Sequence, residues 1–208
     1  MKTLVLNLRD QSLCGKYLKS AAQALRAGEL VAFPTETVYG LGAHRDNEKA
    51  VERIYKVKKR VEEKRLTLMI ADPGDVIKYV DHFSHTAKRL MEFFWPGALS
   101  IIFPLKDGSD IGIRLPDNPV ARDLIRAAEV PIVTTSANIS GYPPSTDAQQ
   151  VLMDFKGKIP IILDGGSTRF RSPSTVLRLL DETFEIIRHG IISETMIRCC
   201  LENTLVKV

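Results

Sequence analysis

Residues 33–42 read FPTETVYGLG. An apolar run, Leu30-Val31-Ala32-Phe33, leads into them and reads as a buried strand. Pro34 stops it, because proline has no N–H to give to a sheet ladder. Two threonines then flank Glu36, followed by Tyr39 and the glycines of Gly40-Leu41-Gly42. A core strand that ends this way is either a tight turn or a mouth where backbone and hydroxyls meet a small ligand. A second strand has the same ending: the run at 132–135 passes into TTSANISGYPPST, 134–146, with Thr134, Thr135, Ser136 and Asn138. Composition alone fits an elaborate turn with helix caps. Two such ends in one α/β sheet, however, suggest a shared crevice.

Working outward, Cys14, Tyr17, Leu18, Ala21 and Leu25 recur at helical spacing, and Gly28 is a stop. Asn47, Ser84 and Asn118-Pro119 read as helix starts, with Asn or Ser as cap and Pro in the first turn. Thr146 with Gln149 resembles a capping box ahead of Val151, Leu152 and Phe155. Strands are expected at 66–70, 99–104, 111–115, 159–163, 174–179 and 184–188, with Asp181-Glu182 turning the last two into a hairpin. Residues 1–11 alternate like a strand and carry Arg9 and Asp10, unlike a signal peptide. Interleaved helices and strands with late hairpins predict a single α/β domain over 1–208, built on an open, twisted, mixed β-sheet with flanking helices.

The chain has 208 residues, 44% hydrophobic and 26% charged, enough to bury a sizeable core. No apolar run approaches the ~20 residues of a membrane helix, so a cytoplasmic protein is expected. Cys14, Cys199 and Cys200 are odd in number and imply no disulfide framework. The four histidines are scattered and no CxxC or HExxH occurs, so no metal site built from side chains is expected. Gly40-Leu41-Gly42 lacks the third glycine of a dinucleotide fingerprint, since position 45 is arginine. GxxxxGK[ST] and GxSxG are also missing, which excludes a P-loop and disfavours a serine hydrolase.

A net charge of +4 permits an anionic ligand, including tRNA or double-stranded RNA, without demanding one. The basic bias is local: residues 53–65 hold seven basic side chains against two acidic ones. Within them Lys58-Lys59-Arg60 is either a solvated helix face or a phosphate clamp. Arg114, in the alternating strand Ile111-Gly112-Ile113-Arg114, must point to solvent or pair with a carboxylate. Arg188 poses the same question, and Gly112 would let something approach the backbone.

These blocks, in order, resemble the YrdC/TsaC family: FPTETVYGLG, Lys58-Lys59-Arg60, FFWPGALS, IGIRLPDNPVA, TTSANISG, PSTVL and IIRHG. The resemblance covers about 15–190. It implies a wide, basic concave surface and L-threonylcarbamoyladenylate synthase activity, in which L-threonine, bicarbonate and ATP, with Mg²⁺, give the adenylate and pyrophosphate. It also implies a downstream threonylcarbamoyl-transferase complex acting on tRNA. By the same resemblance, Thr35, Thr67, Arg114, Ser136 and Ser174 contact threonine. Lys58, Arg60, Asn138, Thr146 and Arg188 hold ATP. The extra C-terminal domain of longer relatives is expected to be absent. Val61, Ala98 and Ser100 depart from the family pattern, and EEKRLTLM is partly like the YciO branch. A YciO-like RNA- or nucleotide-binding protein with weak or no synthase activity is the alternative reading.

Overall fold

In the computed structural model, residues 1–9, 11–61, 65–180 and 183–202 are described. The chain runs β1 (Leu4–Asn7), α1 (Gln11–Arg26), β2 (Val31–Phe33), β3 (Gly40–His44), α2 (Glu48–Lys58), β4 (Thr67–Met69) and a 3-10 turn (Pro73–Lys78). It continues α3 (His85–Phe94), β5 (Leu99–Pro104), β6 (Asp110–Arg114), α4 (Pro119–Ala128), β7 (Ile132–Ser136), α5 (Ala148–Phe155), β8 (Ile161–Asp164), β9 (Thr175–Leu180), β10 (Thr183–Arg188) and α6 (Glu194–Leu201). The strands form one mixed sheet in the order β1-β8-β2-β3-β7-β4-β6-β5-β9-β10. The expected α/β class is therefore observed.

The two halves of the sheet are built differently. From β1 to β3, helices cover both faces: α1 and α4 pack against Val31, Phe33 and Leu163, while α2 and α5 pack against Ala32, Leu41 and Ile162. Strands buried on both sides read as near-continuous apolar runs, as β2 does. From β6 to β9 the pattern alternates. Leu99, Ile101, Ile113 and Leu177 turn into a core with Leu90 of α3 and Ile197 of α6. Ser100, Ile102, Gly112, Arg114, Val176 and Arg178 turn to the other face, which lines an open cleft.

β2 and β7 both pair antiparallel with β3, so they run the same way and end at the same edge of the sheet. That is the crevice the two hydroxyl-rich endings pointed to.

Several local expectations change. Gly40 and Gly42 belong to β3 and not to a turn; a Cβ on Gly42 would sit 2.9 Å from the Phe33 ring, so glycine makes room for that buried side chain. Asp147, not Thr146, caps α5, accepting from Gln150 N at 2.9 Å. The side chain of Thr146 instead lies 3.4 Å from Gln150 Oε1. Helix α2 ends at Lys58, and Lys59 takes a left-handed conformation (φ 52°), so the basic triplet is no helix face. The Asp181-Glu182 turn lies outside the described residues, although β9 and β10 are antiparallel as expected. Asn118 caps α4 as read, accepting from Ala121 N at 3.1 Å.

Candidate functional site

The cleft on the open face of the sheet has a volume of about 650 Å³. Seven of the ten residues expected at a site line it: Thr35, Thr67, Arg114, Ser136, Ser174, Arg60 and Arg188. They come from β4, β6, β7, β10, the ends of β2 and α2 and the start of β9, so sheet order brings them together.

Arg114 settles the choice its strand posed by pairing with a carboxylate. Its Nη2 donates to Glu36 Oε1 at 2.6 Å and to Thr37 Oγ1 at 2.9 Å, while Nε donates to the Gly97 carbonyl at 3.1 Å. Both charged side chains are almost wholly buried, at 6% and 2% exposure. A buried charge is tolerable only when paired and hydrogen-bonded in this way. The network continues through the Thr35 hydroxyl, 2.9 Å from that of Thr37, and on to the Val38 carbonyl at 2.6 Å. The FPTET segment thus forms a rigid wall that fixes Arg114 from one side.

Opposite stands a hydroxyl pair. Ser174 Oγ lies 3.1 Å from Ser100 Oγ and accepts from Arg188 Nη2 at 3.0 Å; the Ser174 carbonyl accepts from Arg188 at 2.8 and 3.2 Å. Burial lowers the Arg188 pKa below the ordinary guanidinium value, and the Arg114 and Arg60 charges lower it further. Burial lowers that of Arg60 as well. Three crowded, partly desolvated guanidiniums are poised for an anion.

The other three expected residues do not line the cleft. Lys58, 1% exposed, donates from Nζ to the carbonyls of Ser136 and Asn138, each at 2.5 Å. Its own carbonyl accepts from Ser140 N at 2.8 Å. Burial first, then the Arg60 charge, lowers its pKa to about 7, with Asp154 opposing. Asn138 Nδ2 donates to the Ile139 and Tyr142 carbonyls. Lys58, Asn138 and Thr146 therefore shape the 136–146 loop and do not line the cleft.

Sequence reasoning assigned no role to Glu36 or Ser100, nor to a second ionic group on the cleft wall. In that group Asp110 pairs with Arg65 at 2.5 Å and with Arg178 at 3.2 Å. A signal existed for Arg178: β9 alternates as β6 does, which puts it on the face of Val176. The Glu36 partnership depends on sheet order and left no local trace.

With this geometry in place, the Sua5/YciO/YrdC family model, described as "Telomere recombination", matches residues 23–190. The chain belongs to the Sua5/YciO/YrdC family. Among relatives, the threonylcarbamoyl-AMP synthase of Bacillus subtilis is 41% identical over 194 residues, covering 88% of this chain and 56% of that protein. The putative threonylcarbamoyl-AMP synthase of Methanocaldococcus jannaschii is 34% identical over 207 residues, covering 96% of this chain and 97% of that protein. The structure of Pyrococcus abyssi Sua5 complexed with L-threonine superposes with a TM-score of 0.87 at 36% identity, covering 95% of this chain and 61% of that one. Escherichia coli YciO superposes at 0.79 with 25% identity, covering 91% and 96%. This Sua5/YciO/YrdC chain thus spans somewhat over half the length of its Bacillus relative. No helix among the described residues is long and apolar enough to cross a membrane.

Proposed function

We propose that the chain is an L-threonylcarbamoyladenylate synthase, a nucleotidyltransferase that makes threonylcarbamoyl-AMP and pyrophosphate from L-threonine, bicarbonate and ATP. The observation that carries this reading is the cleft itself, where a wall-mounted arginine and paired hydroxyls adjoin two further desolvated guanidiniums. Similarity to proteins named threonylcarbamoyl-AMP synthase, and to a Sua5 complexed with L-threonine, supports it.

In this reading Arg114, braced by Glu36, Thr37 and Gly97, meets the threonine carboxylate. The hydroxyls of Thr35, Thr67, Ser136 and Ser174 supply partners for the threonine hydroxyl, whose loss in valine leaves them unpaired. The threonine amine and bicarbonate give a carbamate with loss of water, and a carbamate oxygen attacks the α-phosphate of ATP and displaces pyrophosphate. Both reactants are anions, so Arg60 and Arg188 offset their repulsion and orient them. Lys58 and Asn138 act through the loop that presents Ser136. Mg²⁺ enters with ATP on its phosphates; among the described residues no cluster of three or more His, Cys, Asp and Glu would hold it independently. No general base is assigned. The adenylate then passes to a threonylcarbamoyl-transferase complex that modifies tRNA, in a cytoplasmic setting.

Incubation with MgATP, bicarbonate and single amino acids, followed by pyrophosphate detection, tests the reading. Release is expected only with L-threonine and bicarbonate together. Equal turnover with valine, or none with threonine, overturns it and leaves the YciO-like binding protein.

A further inference from the structure

On the far side of the Thr35–Glu36 wall lies a second hollow, of about 230 Å³, lined by Glu36, Asp117, Ser167, Thr168 and Arg169 among others. Glu36 and Thr168 are buried there, at 3% and 4% exposure. Each has a buried side-chain oxygen with no hydrogen-bond partner: Glu36 Oε2 and Thr168 Oγ1. The other Glu36 oxygen holds Arg114. The two segments are tied together by Phe170 N donating to the Glu36 carbonyl at 2.9 Å, so the pairing is part of the fold. A carboxylate oxygen removed from water without a partner is costly, and the cost is relieved by whatever completes it.

The chemistry of the hollow narrows the occupant. Both orphaned atoms are hard oxygens. Among the described residues, the one cationic side chain on the hollow, Arg169, is already paired with Asp117 at 3.0 Å and stacked over Phe170 at 4.3 Å. With Glu36 balanced by Arg114 and Asp117 by Arg169, little net negative charge is left for a divalent ion, which is usually held through carboxylates. A softer metal would want His or Cys, and neither lines the hollow. A singly charged ion bound by oxygens fits what is left.

We propose that this hollow binds a monovalent metal cation of sodium or potassium size, with Glu36 Oε2 and Thr168 Oγ1 among its ligands. Glu36 then links two sites, one oxygen on the cation and the other on Arg114. It is a positioning residue, and the cation fixes the carboxylate that orients the arginine. The effect on threonine rests on the synthase reading; the cation site does not.

The test compares the whole protein in sodium, potassium and choline chloride at equal ionic strength. Wild type should melt about 2–4 °C higher in sodium or potassium than in choline, saturably, as expected for a ligand of the native state. Thr168→Val should lose that difference. Equal melting in all three salts, or a full rise retained in Thr168→Val, overturns the site. Crystals grown with rubidium give an answer independent of the variant: an anomalous peak in contact with Glu36 and Thr168 is expected, and a hollow holding only water refutes the proposal. Calorimetry with L-threonine then separates the two readings. Threonine affinity several-fold weaker in choline supports the link through Arg114, and equal affinity in all salts removes it. If threonine binds in no salt, the synthase reading fails while the cation site stands on the rubidium and melting results.

Discussion

Replacing Lys58 by methionine distinguishes a buried staple from a waiting phosphate clamp. The substitution keeps a long apolar stem but removes the donors that reach the Ser136 and Asn138 carbonyls at 2.5 Å. Each buried acceptor left unsatisfied costs about 1–3 kcal/mol, so two give roughly 2–6 kcal/mol. The opposing effect, relief of a lysine that is protonated in the unfolded chain, fades only as pH nears the unfolded value of 10.5, so the measurement belongs at a pH of about 10. There a loss of at least about 2 kcal/mol, or a fall in Tm of about 4–8 °C, is expected in urea and thermal unfolding. Lys59→Ala, at the left-handed residue that follows α2, is the control and should change stability by less than about 0.5 kcal/mol. Threonine affinity should fall in Lys58→Met together with stability, because the Ser136 loop loses its anchor. Wild-type unfolding of Lys58→Met, with ATP binding alone impaired, would refute the staple and restore the clamp.

The same lysine sets a pH dependence. Its folded pKa lies below its unfolded value of 10.5, so the unfolded chain binds more protons between about 7 and 10.5. Relative to Lys58→Met, wild type should therefore gain up to about 1.4 kcal/mol per pH unit as pH rises through that window, and lose this as pH falls to 7; a flat difference from denaturation at a pH series contradicts it. Arg114→Lys should weaken threonine binding by roughly tenfold to a hundredfold while sparing ATP, since a lysine cannot keep the Glu36, Thr37 and Gly97 bonds of the guanidinium; unchanged calorimetric affinity removes Arg114 from the site. Gly190→Ala should displace Ser174, because a Cβ there would lie 2.4 Å from its carbonyl carbon; a stability loss of about 1–3 kcal/mol with weakened threonine binding is expected, and wild-type behaviour in both refutes the contact. Arg188→Ala should lower ATP affinity at least tenfold by titration, an effect absent if Arg188 only supports Ser174.

The amino-acid sequence by itself determined what depends on neighbours along the chain. Strand alternation in β6 and β9, the Asn47, Ser84 and Asn118 caps, and the proline that ends the Leu30–Phe33 run follow from the two-residue period of a strand and the orphan amides of a helix start. The open face carrying Gly112 and Arg114 was legible for that reason, and family blocks brought seven cleft residues into one list. Only the tertiary structure decided who meets whom across the sheet. Glu36 is 78 positions from Arg114, and Lys58 is 78 and 80 from the carbonyls it holds. Whether a lysine in a basic run faces water or two buried carbonyls depends on which loop packs over the end of its helix, and burial then changes the meaning of the charge. Thr146 shows the same limit at short range: Asp147 beside it won the cap, because the incoming backbone aims the aspartate at Gln150 N. Local periodicity fixes which face a side chain occupies, whereas its partner is fixed by the order in which distant strands assemble.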